Sequence, residues 1–349
     1  MKYLSVNEYY KKTFGIKIYK ITLDAGCTCP NRDGTRGTEG CIFCSASGSG
    51  DFTASRNLSI TEQIEQAKKL VEKKIKKPQI DGKEEIFVKK EISGNANSTS
   101  DIRAAQYIAY FQNFTNTYGD EEKLISKYEE ALSHPEIAGI AIATRPDCVS
   151  DSILEKINAL TEKKFSVYTD FNLETDNTSN QKITKITKHF SLEFGFQTSN
   201  EKTAEYINRC YSNEEYFDAV RRVKKINKDI HIVTHIIFGL PGETEEDMMN
   251  TVRAALDAGT DGLKIQVLNV LKGTRLEKEY YEKGFHILSM EEYFDLIIKA
   301  LKIIPPEIVI HRLTGDGPKS LLIEPKWIAN KKRVLNELTR AINFNYIFF

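Results

Sequence analysis

The sequence contains no long hydrophobic run, and it has no apolar segment near its start. No apolar stretch approaches the ~18–20 residues that a membrane-spanning helix requires. The first residues, MKYLSVNEYYKK, lack the hydrophobic core of a secretory signal. We therefore expect a cytoplasmic protein without a membrane segment.

An excess of charge of either sign is also missing. Lys+Arg and Asp+Glu number 49 each, so the formal net charge is zero and composition alone does not indicate a polyanionic partner. Hydrophobic residues make up 40% of the 349 residues and charged residues 28%, which excludes global disorder and permits a sizeable core. This length fits one large α/β domain with added segments, or a barrel with a smaller partner.

Short β-branched runs alternate with longer amphipathic patterns, as is typical of βα units and a parallel sheet. The predicted strands are 17–23, 105–111, 139–144, 165–169, 191–197, 230–238 and 262–267. The predicted helices are 61–76, 121–133, 152–162, 214–226, 244–258 and 291–304. A strand at 308–313 and a helix near 327–341 follow them. Two polar stretches, 77–101 and 172–187, are predicted to be surface loops or irregular insertions.

Four of the six cysteines lie within the segment 27–44, and the other two are isolated. This distribution favours metal ligation in a reducing compartment over a disulfide framework. The segment follows the first predicted strand, so in a parallel barrel it would lie at the C-terminal face, where active sites collect. Cys41 and Cys44 form a CxxC pair, Cys29 precedes them by an eleven-residue spacer, and Cys27 stands two positions before Cys29.

Three kinds of site fit these cysteines. A zinc site would use four ligands with Cys27 as the fourth, although an extended chain points Cys27 and Cys29 to opposite faces. A thioredoxin-like redox pair would use Cys41 and Cys44 and leave Cys29 without a role. An iron–sulfur cluster held by three cysteines would leave one iron open. The spacing favours the cluster and leaves the other two sites open.

Several blocks of the sequence resemble the radical S-adenosylmethionine (SAM) superfamily, and within it the YhcC-type subgroup, which is similar to the Elongator catalytic subunit. The blocks are TCPNRDGT, GCIFCSASGSGDF, FQNFTNTY, ATRPDC, EFGFQT, HIIFGLPGET, LKGTRL, HRLTGDGP and PKWIANKKRVLNEL. The resemblance implies a partial (β/α)6 TIM-like barrel over residues 1–290 and a small C-terminal α/β extension over 291–349. Of the two competing fourth strands, 165–169 and 191–197, we favour the second because it carries the EFGFQT block.

The resemblance also implies the cofactors. Cys29, Cys41 and Cys44 would ligate a 4Fe–4S cluster, and the amino and carboxylate groups of SAM would bind its fourth iron. Reduction by a donor such as flavodoxin or ferredoxin would then yield methionine and a 5′-deoxyadenosyl radical. The cofactors carry the radical chemistry, while the protein supplies orientation and solvent exclusion. Cys27 stands where the family usually has an aromatic residue, and we interpret it as a bystander.

By position in these blocks, seven residues are predicted to bind SAM or to face it: Gln112, Asn113, Thr115, Glu193, Gln197, Arg209 and His235. Relatives would use the first three at the amino group, and a Gln and an Arg at the ribose and the carboxylate. An arginine suits a carboxylate because its planar fork can bind two oxygens. Alternatively, Gln197 and Arg209 form an ordinary hydrogen-bonded pair, and Glu193 and His235 are satisfied core residues.

The substrate is not identified by the sequence, and RNA is one candidate because of the likeness to the Elongator subunit. Lys326, Lys331, Lys332 and Arg333 near Trp327 would form a basic patch with an aromatic residue. The alternative is a solvated helix face with Trp327 packed against the barrel. A different class of function, a zinc-stabilised nucleic-acid-binding module without radical chemistry, also stays open at this point.

Overall fold

The computed structural model describes residues 3–48, 50, 53–72, 106–170, 181–315 and 317–347. The predicted insertion 77–101 and residues 172–180 of the second insertion lie outside these ranges. The described strands are β1 (Leu4–Ser5), β2 (Tyr19–Leu23), β3 (Tyr107–Phe111), β4 (Ile137–Thr144), β5 (Phe165–Asp170), β6 (Gln181–Ile186), β7 (His189–Gln197), β8 (His231–Phe238), β9 (Gly262–Val267), β10 (Val270–Leu271), β11 (Val309–Arg312) and β12 (Leu322–Glu324).

The described helices flank these strands in the chain. They are α1 (Val6–Phe14), α2 (Ile60–Glu72), α3 (Glu121–Ser133), α4 (Asp151–Glu162), α5 (Glu201–Tyr206), α6 (Asn213–Ile226), α7 (Glu245–Asp257), α8 (Arg275–Lys283), α9 (Met290–Ile303) and α10 (Lys331–Ile347). Within the described part of the chain, no helix is both long enough and apolar enough to cross a bilayer.

One parallel sheet of eight strands, in the order β1-β11-β9-β8-β7-β4-β3-β2, forms the centre of the fold. Strands β2, β3, β4, β7, β8 and β9 follow one another across the sheet in chain order, as in a partial (β/α)6 barrel. The main core packs the outer face of these strands against the helices. The predicted fold class is therefore confirmed.

The strand β4 shows why the sequence forms this sheet. Its residues, IAGIAIAT, are all buried, and strands buried on both faces read as continuous apolar runs. A Cβ at Gly139 would lie 2.2 Å from the backbone oxygen of His189 on β7. A side chain at that position would therefore separate two paired strands.

Helix starts are set locally by polar side chains. Ser212 and Glu215 form a capping box at the start of α6, and Thr244 and Asp247 form another at α7. In each box the two side chains satisfy backbone N–H groups that the first turn leaves without partners. The predicted helix boundaries consequently agree with the observed ones to within a residue or two at these sites.

Two sequence predictions are resolved by the strand pairing. The strand β5 pairs only with β6, in an antiparallel hairpin outside the main sheet, whereas β7 pairs with both β4 and β8. The preference for the EFGFQT run as the fourth barrel strand is confirmed. The prediction of an irregular segment over 172–187 is wrong for 181–186, because the alternating QKITKI run forms β6.

The C-terminal part of the chain continues the barrel sheet. The strand β11 pairs in parallel with β9, and β1 pairs with β11. The terminal helix α10 begins at Lys331, later than predicted, because Lys326–Ala329 forms a short 3-10 turn first. The division of the chain at residue 290 stays a prediction.

Candidate active site

The cysteine loop, defined here as residues 24–50 after β2, lies at the C-terminal edge of the sheet. Asn31 donates from Nδ2 to the carbonyl oxygen of Asn208 at 2.5 Å, and Asn208 donates from its own Nδ2 to the carbonyl of Gly40 at 2.8 Å. The backbone N–H of Ile42 donates to Ile207 at 3.1 Å. These bonds fix the loop to the segment that follows β7, so the ends of two strands, β2 and β7, hold the cysteines.

Among the described residues, none of the three predicted ligand cysteines forms a disulfide, and nitrogen donors reach two of the sulfurs. Asn31 Nδ2 lies 3.8 Å from Cys41 Sγ, and Arg145 Nη1 lies 3.9 Å from Cys29 Sγ. Burial raises the pKa of the Cys41 thiol to about 12, and the nearby Cys44 and Cys29 sulfurs act in the same direction. Thiolates in this loop therefore need a compensating cation, which a bound metal supplies.

The spacing of the sulfurs distinguishes a single ion from a cluster. A tetrahedral zinc ion with Zn–S bonds of ~2.3 Å brings its sulfurs to roughly 3.8 Å from one another. Among the described residues, no three cysteine sulfurs lie within 4.8 Å of one another. A cluster places its thiolates on separate irons, which are farther apart than the ligands of one ion. The described sulfur positions are therefore not those of a closed tetrahedral zinc site, and the iron–sulfur cluster stays a prediction.

Cys27 lies in different surroundings from the three predicted ligand cysteines. It is buried in the main hydrophobic core, which also contains Tyr128. Burial raises the pKa of the Cys27 thiol to about 12, with smaller effects from Lys127, Asp24 and Arg56. These surroundings are those of a packed thiol rather than of a ligand.

The predicted residue Asn113 contacts the cysteine loop. It is buried, and its Nδ2 donates to Asp24 Oδ2 at 2.7 Å and to Thr53 Oγ1 at 2.8 Å. Its Oδ1 is buried without a partner in the described structure. A Cβ at Gly50 would lie 2.4 Å from Asn113 Nδ2, so the loop approaches Asn113 this closely only with glycine at position 50.

The two other predicted residues after β3 are Thr115 and Gln112. Thr115 is buried, and its backbone N–H donates to the carbonyl of Thr28 at 3.2 Å, which ties it to the cysteine loop. Gln112 follows the last residue of β3 and is partly buried. Both therefore lie at the same sheet edge as the cysteines.

Gln197 ends β7 at an irregular point of the strand. The register with β8 shifts between Gly195 and Gln197, and Gln197 takes a positive φ of 68°. Its Oε1 is buried and has no partner in the described structure. Strain of this kind, together with an unsatisfied acceptor, is typical of a ligand-binding position.

Arg209 is completely buried, and its guanidinium bonds only within the protein. Five N–H groups are the full donor capacity of an arginine side chain. The distances from Arg209 to its acceptors range from 2.7 to 3.3 Å, and the acceptors are the carbonyls of Phe196, Thr198 and Tyr211, Glu201 Oε2 and Asn213 Oδ1. No donor is left for a SAM carboxylate in this conformation, so Arg209 positions the backbone after β7.

Glu193 and His235 belong to a polar group inside the barrel, which we call the interior cluster: Lys20, Tyr110, Glu193, His235 and Lys264. Lys20 Nζ lies 2.6 Å from Glu193 Oε1, and His235 Nε2 lies 2.9 Å from Oε2. Lys264 Nζ also contacts Oε2 and donates to Tyr110 Oη at 3.0 Å. Five of the six barrel strands each contribute one of these side chains.

The charges in the interior cluster are strongly coupled. Burial alone would raise the pKa of Glu193, but Lys20, Lys264 and His235 outweigh it and hold the pKa well below its usual range. Burial lowers the pKa of Lys264 to about 7, with Lys20 and Arg312 adding to the effect and Glu193 opposing it. Burial likewise lowers the pKa of His235 to about 4, so this imidazole is neutral near pH 7.

Four residues at or near the site were not among the predicted ligands: Lys20, Lys264, Asn31 and Arg145. The two lysines had a readable signal, since a charge in the middle of an apolar strand is rarely buried without a partner. Arg145 pairs with Asp147 at 2.7 Å and donates to the carbonyl of Arg209 at 3.2 Å. Arg145 and Asp147 are two positions apart in the sequence, so their pairing is local, whereas the contact of Arg145 with Cys29 depends on the fold.

The proposed basic patch has no available aromatic residue. The Trp327 ring packs against Tyr293 and Phe294, and its Nε1 donates to the carbonyl of Leu288 at 2.9 Å. The cations of the following segment, Lys326, Lys331, Lys332 and Arg333, are exposed. The alternative interpretation, a packed tryptophan beside a solvated helix face, is the one that the structure supports.

Comparisons with known proteins identify the family of the chain. The Radical SAM superfamily profile matches residues 151–255, and the Radical_SAM C-terminal domain matches residues 260–343. Uncharacterized protein YtqA of Bacillus subtilis is 36% identical over 341 residues, which cover 98% of this chain and 89% of that protein. Protein YhcC of Escherichia coli is 28% identical over 332 residues, covering 95% and 89%.

A solved structure, the archaeal Methanocaldococcus infernus Elp3, is 18% identical and superposes with a TM-score of 0.48, covering 62% of this chain and 50% of that chain. The full-length similarity to YtqA, together with the two matched profiles, shows the family. The chain belongs to the radical SAM superfamily and is an enzyme of that class.

Proposed function

We propose that the protein binds a 4Fe–4S cluster through Cys29, Cys41 and Cys44 and cleaves SAM reductively to a 5′-deoxyadenosyl radical. The observation that carries the proposal is one loop at the C-terminal sheet edge that contains three cysteines outside any described disulfide, two of them next to N–H donors. When bound, the cluster supplies the electron that splits the sulfonium bond of SAM.

The surrounding residues would bind and orient SAM. Asn113 Oδ1 and Gln197 Oε1 are buried acceptors without partners, and each would accept a hydrogen bond from an amino or hydroxyl group of the cofactor. An unsatisfied buried acceptor costs about 1–3 kcal/mol, which a ligand donor would recover. Gln112 and Thr115 would contribute backbone carbonyls at the same edge.

Arg209 enters this proposal as a positioning residue. It binds the carbonyls on either side of Gln197 in the chain, those of Phe196 and Thr198, and so holds the strained turn that aims Gln197. The predicted direct contact with the SAM carboxylate is replaced by this indirect role, because every guanidinium donor already has a partner.

Anaerobic reconstitution with iron and sulfide, followed by dithionite and SAM, tests the proposal. We expect release of 5′-deoxyadenosine and methionine from the wild-type protein. A Cys41→Ala variant should release neither, and Cys148→Ala, which changes a thiol outside the cysteine loop, should behave like wild type. An intact cluster without SAM cleavage would contradict the proposal. Zinc without iron or sulfide would favour the zinc-stabilised module instead.

The physiological electron donor and the substrate stay predictions. A small donor such as flavodoxin or ferredoxin would replace dithionite, and activity with either one would support it. For RNA, a salt-dependent binding assay with tRNA is the direct test. Absence of binding at low salt would remove RNA from the candidate substrates.

A further inference from the structure

The interior cluster places two lysine side chains on a single carboxylate. Lys20 and Lys264 share one carboxylate, that of Glu193, while the neutral His235 adds no charge. Arg312 is near enough to lower the pKa of Lys264 further. Burying an ammonium without a full counter-charge is unfavourable, which agrees with the lowered pKa of Lys264, and an additional anion would stabilise the ammonium form of this side chain.

The lysines are also open toward the interior, while the carboxylate is not. The Glu193 side chain is fully buried, whereas those of Lys20 and His235 are 20% and 19% exposed and that of Lys264 is 9% exposed. An ammonium has three N–H donors, and Glu193 and Tyr110 account for two of those on Lys264. Among the described residues the third donor of the ammonium form has no acceptor, so it is left for a ligand.

We propose that the substrate carries a carboxylate or phosphate group and that Lys20 and Lys264, with His235, bind this group inside the barrel. The inference rests on the proposed function, because the bound group would place the substrate below the predicted SAM position at the strand ends. Glu193 acts as a positioning residue. Its carboxylate fixes the two ammonium groups beside the bound anion and does not bind the anion itself.

A purely structural interpretation makes a different prediction. If the cluster only joins the strands, replacing Glu193 removes a contact between them and weakens anion binding as well as stability. If the cluster binds an oxyanion, Glu193→Gln removes the competing negative charge and tightens anion binding. The sign of this one effect separates the two interpretations.

The experiment titrates the reconstituted protein with inorganic phosphate and, separately, with ¹³C-acetate, and follows the ³¹P and ¹³C line widths. Saturating SAM is present so that the SAM pocket does not bind the probe. We expect saturable broadening with wild type for at least one probe, and the probe that binds identifies the anionic group. Lys264→Met should weaken binding at least about tenfold, as expected for a charge-assisted hydrogen bond, and Glu193→Gln should strengthen it several-fold.

Lys299→Met is the matched control, because Lys299 lies on the outer helix α9 and pairs with Glu245 at 2.7 Å. It should bind the probes like wild type. The proposal is overturned if neither probe shows saturable broadening, if Lys299→Met weakens binding as much as Lys264→Met, or if Glu193→Gln also weakens it. Lys264→Met removes a buried side chain. If the Lys264→Met protein does not fold, the effect of Glu193→Gln on anion binding decides between the two interpretations.

Failure of the anion-binding proposal can be distinguished from failure of the proposed function. The same preparations are assayed for 5′-deoxyadenosine. SAM cleavage without anion binding removes only the inference about the substrate. Anion binding in a protein that never cleaves SAM instead removes the radical chemistry and leaves the anion site.

Discussion

The two ends of the barrel bury polar groups in different ways. At the C-terminal end, the non-glycine residues with positive φ in the described chain lie in loops around the cysteines, namely Phe114, Gln197, Asn208 and Cys210. At the N-terminal end, α1 packs Tyr9 on His231 with ring centroids 4.9 Å apart, and His231 Nε2 lies 2.9 Å from His311 Nε2. The strained backbone marks the C-terminal end, which holds the candidate active site. The stacked rings pack the N-terminal end of the barrel.

The largest expected effect concerns the three cysteines of the C-terminal end. Cys29→Ala should reduce bound iron and sulfide to background after anaerobic reconstitution, because the two remaining thiolates leave a second iron without a ligand. Cys27→Ala should retain both elements, since Cys27 packs in the hydrophobic core. Chemical analysis of iron and acid-labile sulfide measures both. Full cluster content in Cys29→Ala would contradict the assignment.

The next effect tests the network that holds the strained turn. Arg209→Lys leaves several buried carbonyls without donors, and we expect unfolding to become about 2–4 kcal/mol easier, with weaker SAM binding. Urea denaturation and equilibrium SAM binding report the two quantities. Arg221→Lys on the exposed face of α6 is the control and should change stability by less than about 0.5 kcal/mol. Equal effects from the two variants would remove the positioning role of Arg209.

At the N-terminal end the prediction is a pH dependence. Burial lowers the pKa of both His189 and His231 to about 3, below the unfolded value of about 6.5. The folded state thus binds fewer protons than the unfolded state, so stability is present above pH 6.5 and declines as pH falls toward 3. At pH 5.5 each histidine should cost about 1.4 kcal/mol.

The variant His231→Phe keeps a ring for Tyr9 to stack on and removes one titrating group. Its stability loss between pH 7.5 and pH 5.5, measured by urea denaturation, should be smaller than that of wild type by about 1.4 kcal/mol. His286→Phe changes an exposed histidine and should leave the wild-type slope unchanged. A slope that His231→Phe does not alter would show that the buried rings do not control the acid sensitivity.

The smallest expected effect is on the redox properties of the C-terminal end. Arg145→Gln removes a cationic donor near Cys29 Sγ, and hydrogen bonds to cluster sulfurs raise the reduction potential. We expect the midpoint potential to become more negative by an amount on the order of tens of millivolts. An EPR-monitored redox titration measures it. An unchanged potential would mean that Arg145 does not affect the cluster and only donates to the carbonyls of Arg209 and Cys210.

The sequence predicted the barrel strands well because they are nearly continuous apolar runs, as in IAGIAIAT. The C-terminal segment was harder to predict. The run 308–313 was placed in an appendage, but β11 pairs with β9 in the main sheet. Strand partners far apart in the chain are chosen by tertiary packing, which local patterning does not encode. The short elements α1, α5, β10 and β12 lacked a long enough periodic pattern.

The candidate site shows a similar division. The CxxC spacing and the order of the blocks predict the ligand cysteines and locate the strand ends, because ligands of a loop site lie close together in sequence. The role of Arg209 could not be predicted, since its acceptors are mostly backbone carbonyls fixed by the turn. Lys20 and Lys264 come together across 244 residues of chain, and only the folded sheet brings them to one carboxylate.

The EPR spectrum of the reduced, reconstituted protein, recorded with and without SAM, tests the central claim most directly. A cluster held by three thiolates has one iron open, so the account predicts that SAM changes the g-values of the reduced 4Fe–4S signal. A signal that stays the same at saturating SAM would mean that no iron is open to the cofactor, and it would contradict the account.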